Sequence, residues 1–188
     1  MNTIKVSIDS QKYQLKPSGD DIRYISSRIA RSVRSVNPDE LKKVVSQIGN
    51  DGCTFSPATF KNGKRSRDNF EQQQLFVLDF DNKDPGNKIT FDEVKERADH
   101  YELPILSAYD TLSSMQHDKF RVVFLNDVSV SDRRVAEAVQ LAIGRMFPEA
   151  DPSCYKDVSK LYFGGKGHKQ IYFSSLHIGS QSCGKRFI

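Results

Sequence analysis

A nine-residue segment, QLFVLDFDN at positions 74–82, has the composition of a buried β-strand but carries two carboxylates at its downstream end. Side chains two residues apart on a strand point to the same face, so Asp79 and Asp81 share one face while Phe80 turns into the core. Two negative charges held this close repel each other unless a cation lies between them. Mg²⁺ is bound in proteins by one or two carboxylates together with substrate phosphates. The segment therefore predicts a divalent metal site at the end of a buried strand, and two solvated aspartates that cap the next turn are the alternative.

The elements after residue 70 follow the order β-α-β-β-α-β, with one further strand. Apolar alternation and helical periodicity predict each element, and a capping box formed by Thr90 and Glu93 marks the start of the first helix. The predicted strands span residues 75–80, 105–109, 120–125, 161–163 and 171–173, and the predicted helices span residues 91–101 and 132–146. This order is the split β-α-β arrangement of ferredoxin-like and RRM-like domains, an antiparallel sheet with both helices on one face. The prediction is an α+β fold with an RRM-like core over residues 71–188.

Residues 1–70 are predicted to form a small N-terminal α/β lobe that packs on this core, so that the chain folds as one merged domain. Alternation, apolar stripes and capping residues predict its elements. In order, these are a hairpin around Asp9-Ser10, a helix whose apolar stripe runs from Ile22 to Val36, a helix that opens at Asn37-Pro38 and ends at Gly49, and a loop-rich stretch over residues 51–70.

The charge of the chain is mildly basic and unevenly distributed. The 188 residues carry a formal net charge of +4 with a pI near 8.9, and the segment from Asp151 to the end has six Lys and Arg against two acids. A polyanionic partner is compatible with this excess, and a solvated basic surface is the alternative. The three cysteines show neither zinc-binding spacing nor a disulfide framework, and no signal peptide or membrane-spanning apolar run is evident. We therefore expect a cytoplasmic protein with no membrane partner.

A second polar group follows the second predicted strand, in the sequence YDTLSSMQHDKFRVVF. The small hydroxyl donors of this loop are Thr111, Ser113 and Ser114, and His117 follows them. Lys119 and Arg121 stand two residues apart at the start of the next strand, so both side chains point to one face. If that face also carries the two aspartates, cations and hydroxyls surround a triphosphate whose metal ions lie on the carboxylates. The alternatives are a surface loop, a solvated strand edge and a structural histidine.

Two further segments add acidic and basic candidates. In FPEADPSCYKDVSKLYFGG, Asp151 could complete a three-carboxylate site and Lys160 could contact phosphate. Asp157 competes with Asp151, although an Asp in this position is also a common turn former. Upstream, the loop FKNGKRSRDNF carries four basic residues that could bind single-stranded nucleic acid in a positive groove, namely Lys61, Lys64, Arg65 and Arg67.

The succession of LDFDN, a loop with serine and histidine that leads into KFRVVF, and ADPSCYKDVSKLYFGG resembles the archaeo-eukaryotic primase superfamily. It is most similar to the primase-polymerase domains of phages, plasmids and integrated mobile elements, over about residues 55–167. That family carries a D-x-D on one strand, a small-x-His motif on another and a single downstream Asp, all on an RRM-like sheet. The spacing from Ser114 to His117 is one residue longer than in that motif, and Lys160 stands where arginine is more usual.

The resemblance implies a role for each candidate residue. Asp79, Asp81 and Asp151 would be the catalytic ligands of two Mg²⁺ or Mn²⁺ ions. The nucleotide phosphates would be held by hydroxyl, imidazole and basic side chains, namely Ser113, Ser114, His117, Lys119, Arg121 and Lys160. The protein would be a DNA primase-polymerase that joins nucleoside triphosphates to a 3′-hydroxyl on a single-stranded DNA template, in the replication of a mobile element or phage. Because many members of the family fuse a helicase after this domain, a helicase domain or subunit is an expected partner.

Two other functions are compatible with the residues. A non-catalytic RRM-like module would bind single-stranded nucleic acid through KFRVVF and KLYFGG, and its binding would depend on aromatic rather than aspartate side chains. A haloacid-dehalogenase-like phosphatase also has a strand that ends in D-x-D, but that motif normally opens a parallel α/β sheet, which the predicted antiparallel order does not supply. The primase-polymerase is therefore the first hypothesis.

Overall fold

The computed structural model describes residues 3–166 together with Tyr172 and Phe173. Its strands and helices form a three-stranded sheet with the order β2-β1-β3 and a five-stranded sheet with the order β4-β5-β7-β6-β8. The elements are β1 (Ile4–Ile8), α1 (Asp20–Ile29), β2 (Val33–Val36), α2 (Pro38–Gly49), β3 (Phe55–Ser56), β4 (Ala58–Phe60), β5 (Phe70–Asp81), α3 (Phe91–His100), β6 (Ile105–Asp110), β7 (Lys119–Val130), α4 (Arg133–Met146) and β8 (Tyr172–Phe173). Every pair of neighbouring strands is antiparallel. The described chain is therefore a mixed α+β structure with antiparallel sheets.

The five-stranded sheet contains a split β-α-β unit. Helix α3 connects β5 to β6, and β7 lies between these two strands and runs antiparallel to both. In a complete RRM-like order the strand after α4 would lie beside β5. Among the described residues, β4 occupies that edge and β8 pairs with β6 instead. The chain after α4 reaches β5 through an isolated bridge between Phe80 and Ala150, which brings the next residue, Asp151, to the end of β5.

The two faces of this sheet are covered by different parts of the chain. Phe76, Leu78 and Phe80 of β5 are buried in a core with α3 and α4. Leu75 and Val77 point to the other face, where they are buried with residues of β1 and α2. Because β5 is covered on both faces over most of its length, its sequence is an almost continuous apolar run.

Three helices match their predicted positions to within one residue, because hydrogen-bonded caps mark their starts. Glu40 accepts from the Asn37 backbone N–H at 3.3 Å, Thr90 Oγ1 accepts from the Glu93 N–H at 3.3 Å, and Asp132 accepts from the Arg134 N–H at 2.7 Å. No helix in the described part of the chain has the length and apolar character needed to cross a membrane.

The start of the N-terminal lobe differs from the prediction. β1 pairs with β2 and β3 rather than with a strand across Asp9-Ser10, so the predicted hairpin is wrong. The first helix ends at Ile29, and residues 33–36, which were predicted as its last turn, form β2. Two valines three residues apart fit a helical stripe, but β-branched residues also suit a strand, and the edge of β1 supplies the hydrogen bonds.

Strand boundaries also differ. β5 and β7 extend to Phe70 and Val130, and β3 and β4 lie in the stretch predicted to be rich in loops. The strand predicted at 161–163 is reduced to an isolated bridge between Phe55 and Tyr162. Residue 171 of the last predicted strand lies outside the described residues.

Two glycines bring the N-terminal lobe and the segment after α4 into backbone contact. A Cβ on Gly164 would lie 2.5 Å from the carbonyl carbon of Gly52 and closer still to the carbonyl oxygen of Ile48. Gly52 has a φ of +77°, and a Cβ there would lie 2.9 Å from the carbonyl carbon of Tyr13 and closer still to its oxygen. The backbones of three distant segments therefore pack directly against one another, and only glycine leaves the space for this.

Gly164→Ala is expected to destabilise the protein by about 1–3 kcal/mol, because the added methyl group must displace backbone atoms on both sides. Gly86→Ala is the matched control, since the atom nearest to its added Cβ is Asp84 Oδ1 at 3.5 Å. The measurement is the free energy of unfolding from urea denaturation. Equal stability of the two variants would contradict the close packing around Gly164.

Candidate active site

The pairing of β5 with β7 places two acids opposite two bases. Asp79 is opposite Arg121, and Asp81 is opposite Lys119. Residues directly opposite each other in an antiparallel pair lie on the same face of the sheet. The four side chains therefore share one face, while Phe80 and Phe120 between them point into the helix-packed core, where their rings stack with centroids 4.8 Å apart.

The charges of the two aspartates are compensated by basic side chains. Arg121 Nη2 lies 3.1 Å from Asp79 Oδ2, and Arg121 Nη1 donates to the carbonyl oxygen of Phe163. Burial lowers the pKa of Arg121, but the charges and hydrogen bonds of Asp79 and Tyr109 together outweigh this effect, so that the pKa is raised and the guanidinium stays charged. Asp81 Oδ2 lies 3.2 Å from Lys83 Nζ and 3.7 Å from Lys119 Nζ. The repulsion implied by the D-x-D sequence is thus relieved within the protein.

Asp151 reaches this face through the backbone of β5. Its N–H donates to the carbonyl oxygen of Asp79 at 2.8 Å. The 3₁₀ turn Pro152–Cys154 follows directly. Within it, the Asp151 carboxylate accepts hydrogen bonds from the Ser153 N–H at 2.8 Å and from Ser153 Oγ at 2.7 Å. Burial raises the pKa of Asp151, but the hydrogen bonds from Ser153 and the charges of Lys160 and Arg121 together outweigh this effect, so the pKa is lowered.

A cluster of three metal-ligand atoms forms at this point. One ligand atom each from Asp79, Asp151 and Cys154 lie within 4.8 Å of one another. Within the described residues, this cluster does not include Asp81, although Asp81 lies on the same face. Cys154 is buried, and burial raises the pKa of its thiol, so the sulfur is protonated at neutral pH. The structure therefore brings Asp151 within coordination distance of Asp79 and leaves Asp81 farther out.

All three predicted carboxylates line a single cavity of about 180 Å³. Four basic side chains and two hydroxyls line it as well, so cations exceed carboxylates by one. The full lining is Lys16, Asp79, Phe80, Asp81, Lys83, Thr111, Leu112, Ser113, Lys119, Arg121, Asp151 and Phe163.

The donor set of the cavity fits a hard divalent cation. Asp79, Asp81 and Asp151 offer carboxylate oxygens, the ligands that Mg²⁺ and Mn²⁺ prefer. A carboxylate accepts at about four lone-pair positions, so the bonds from Arg121 and Ser153 leave capacity for a metal. Cys154 contributes a soft, protonated sulfur, which does not suit these ions.

Several predicted nucleotide-binding residues do not line the cavity. Ser113 lines it, but the Ser114 hydroxyl is buried and lies 3.2 Å from Asp118 Oδ1 within the same turn. His117 is in a left-handed conformation, with φ +60°, and its Nδ1 is bonded to the buried carboxylate of Asp110. These positions follow from short-range hydrogen bonds in the loop, which sequence spacing does not reveal.

The two residues downstream of Asp151 form local contacts. Lys160 Nζ lies 2.7 Å from Ser153 Oγ and 3.2 Å from Cys154 Sγ, beside the cavity rather than in its lining. Asp157 Oδ1 accepts from the Ser159 N–H at 2.8 Å and from its hydroxyl at 2.6 Å. Asp157 therefore forms a turn, and it is Asp151 that lies next to Asp79.

The four basic residues of the 61–67 loop have different environments. Lys61 and Lys64 are exposed. Arg65 donates to Ser26 Oγ at 3.0 Å and to the carbonyl oxygen of Ser159, and burial lowers its pKa. Arg67 pairs with Glu137 at 2.6 Å. Two of the four residues therefore have intramolecular partners, and the role of the loop in nucleic-acid binding stays a prediction.

The sequence did not identify two basic residues of the cavity lining, Lys16 and Lys83. Lys83 follows Asp81 by two residues, a spacing that could have identified it. Thr111 precedes Ser113 by two residues, and their hydroxyl oxygens are 3.2 Å apart. No sequence signal connects Lys16 to this site, because it comes from a segment without periodicity in the N-terminal lobe.

Comparisons with known proteins gave one distant likeness. No protein-family model matches the chain, and no curated protein matches it. Among solved structures, the fold is similar to the Cyanophage S-2L primase-polymerase (PrimPol) AEP domain (PP-N190), with a TM-score of 0.42 and 9% sequence identity. The likeness covers 70% of this chain and 62% of that chain, so the matched region spans less than two thirds of that structure.

Arg121→Met is expected to destabilise the protein by about 3 kcal/mol, because it leaves the carboxylate of Asp79 without its buried partner. Asp79→Asn combined with Arg121→Met should cost less than the sum of the two single changes, since the unpaired charge is then also removed. Urea denaturation of the four proteins in metal-free buffer provides the measurement. Lys83→Met, which breaks an exposed pair with Asp81, serves as the control and should leave the unfolding midpoint unchanged. Strict additivity would contradict the pairing of Arg121 with Asp79.

Proposed function

We propose that this protein is a metal-dependent nucleotidyltransferase of the primase-polymerase type. The observation that carries the proposal is the convergence of Asp79, Asp81 and Asp151 on one cavity that also contains cations and hydroxyls. These carboxylates come from distant parts of the chain, and two of them lie within 4.8 Å of each other. The D-x-D and the downstream Asp that resemble the primase motifs are the same residues that meet there.

Some residues of the site would bind the metal ions, and others would bind the phosphates of the substrate. Asp79, Asp81 and Asp151 would hold Mg²⁺ or Mn²⁺, which when bound supplies the Lewis acidity for attack of a 3′-hydroxyl on the α-phosphate. Thr111 and Ser113 would donate hydrogen bonds to phosphate oxygens, and Lys119 would neutralise their charge. Reactions of this class need positioning and charge neutralisation more than acid–base groups, which fits a cavity rich in fixed charges.

Arg121 would act as a positioning residue in this scheme. Its guanidinium bonds to both Asp79 and the carbonyl oxygen of Phe163, and it is buried. A planar, permanently charged group that is held by a second hydrogen bond in this way restricts the orientation of the carboxylate beside it. We infer that Arg121 keeps Asp79 oriented toward Asp151.

The proposal extends to the partners of the reaction. The substrates would be nucleoside triphosphates and a single-stranded DNA template with its growing primer, in the replication of a mobile element or phage. Lys61 and Lys64 would contact the template backbone, since they are the exposed cations of the basic loop that have no carboxylate partner among the described residues. A helicase domain or subunit and a cytoplasmic location belong to the same proposal.

Asp79→Asn, Asp81→Asn and Asp151→Asn are each expected to lower primer synthesis by about 100-fold or more, because each removes a charged ligand from the site. The assay is primer synthesis and primer extension on single-stranded DNA with Mg²⁺ or Mn²⁺, with products separated by size. Asp157→Asn is the matched control: it makes the same chemical change in a turn outside the cavity and should keep activity.

Two outcomes would contradict the proposal. If all four variants and the wild-type protein gave the same product, the carboxylates would have no catalytic role. If the folded wild-type protein made no product with either metal but still bound single-stranded DNA, the non-catalytic binding module would be the correct function. The pairing of both strand aspartates with basic side chains is the observation that favours this second candidate, since it shows a charge balance that needs no metal.

A further inference from the structure

The segment between β1 and α1 crosses from the N-terminal lobe to the cavity. We call residues 9–19 the N-terminal strap. Asp9 at its start is buried and accepts from Arg28 Nη2 at 2.7 Å, and the same nitrogen lies 2.9 Å from the Tyr13 hydroxyl. The Asp9 N–H donates to the carbonyl oxygen of Thr54 at 2.8 Å. The strap is therefore anchored in the lobe at its first residue.

Further contacts hold the middle and the end of the strap. Lys12 pairs with Asp51 at 2.9 Å. The Tyr13 carbonyl lies against Gly52, where a side chain would not fit. Pro17 is buried. Because these contacts lie on both sides of Lys16, the backbone that carries Lys16 has a fixed position, and its side chain lines the cavity.

Lys16 differs from the other three cations of the cavity in its partners. Arg121 pairs with Asp79, and Lys83 and Lys119 pair with Asp81. Among the ion pairs of the described residues, none involves Lys16. It is therefore the cation in the lining that has no carboxylate to neutralise, and it accounts for the excess of one positive charge.

We propose that Lys16 binds the polyphosphate of the incoming nucleoside triphosphate, so that the N-terminal lobe supplies part of the nucleotide site. This inference depends on the proposed function for the class of ligand. The side chain of Lys16 is exposed and lines the cavity, and its unpaired ammonium, together with the hydroxyls of Thr111 and Ser113, is suited to a compact anion such as a phosphate chain. A nucleic-acid strand would need an open groove that follows several nucleotides. A cavity of about 180 Å³ is too small to hold several nucleotides.

Lys16→Gln is expected to raise the Kd for dATP and for inorganic tripolyphosphate by about tenfold, because one charge-assisted contact to phosphate is lost. Isothermal titration calorimetry in the presence of Mg²⁺ measures both ligands, and deoxyadenosine tests for a contribution from the nucleoside. Lys16→Arg retains the charge and should stay within about threefold of the wild-type Kd.

Lys12→Gln is the matched control, because it removes the same charge from the same strap at a residue outside the cavity lining. It should leave both Kd values unchanged, because an exposed ion pair contributes little to holding the strap and the contacts of Tyr13 and Pro17 remain. Urea denaturation should give the same unfolding midpoint for Lys16→Gln and wild type, since no ion pair or hydrogen bond of the described residues involves Lys16. Binding to a single-stranded oligonucleotide, measured by fluorescence anisotropy, should be unaffected in Lys16→Gln.

The outcomes separate this inference from the proposed function. If Lys16→Gln binds dATP and tripolyphosphate as tightly as wild type, or if wild type binds neither ligand, the inference is wrong, whatever the primer-synthesis assay shows. If Lys16→Gln weakens oligonucleotide binding and leaves dATP binding unchanged, Lys16 contacts the strand and the inference is also wrong. If Lys16→Gln weakens binding of both phosphate ligands while wild type makes no primer, the inference holds and the nucleotidyltransferase proposal falls.

Discussion

The antiparallel pairing of β5 with β7 determines which charges meet at the cavity. In the observed register, Asp79 and Asp81 face Arg121 and Lys119. A shift of one residue would turn the carboxylates toward the helix-packed core and bring Phe80 to the cavity face. The stacked rings of Phe80 and Phe120, which alternate with the charged pairs, oppose such a shift because both are buried against α3 and α4. The apolar core of the sheet therefore holds the polar site in place.

The site also depends on one contact between distant parts of the chain. The hydrogen bond from the Asp151 N–H to the Asp79 carbonyl oxygen joins the segment after α4 to the end of β5. Backbone hydrogen bonds of this kind fix position more firmly than contacts between long side chains, because few bonds are free to rotate. The two carboxylates thus lie close together even though each is also bonded to other groups of the protein.

Which parts of the fold and of the site could be predicted from the sequence depends on how far apart along the chain the interacting residues lie. The two-residue period of strands placed Asp79 with Asp81 and Lys119 with Arg121, but whether the two pairs share one face depends on the register of β5 and β7. Capping residues located α2 and α3, and helical periodicity located α4. Local hydrogen bonds that draw polar side chains away from the cavity could not be predicted. The Ser114 hydroxyl bonds within its own turn, and the Lys160 ammonium bonds to Ser153. Lys16 was missed for the opposite reason, since its place depends on long-range contacts of a strap without periodicity. The D-x-D motif was ambiguous because a metal and an arginine–lysine pair both relieve the same repulsion.

The contact between Gly52 and Gly164 has a consequence for how the molecule can vary. Backbone lies directly on backbone there, so no side chain can change its rotamer to absorb a displacement. On one side is the strap that carries Lys16. On the other is the carbonyl oxygen of Phe163, which accepts from Arg121. A movement of the N-terminal lobe would therefore displace both Lys16 and the Phe163 carbonyl. The lobe forms part of the cavity wall, so the lobe and the cavity can change shape only together.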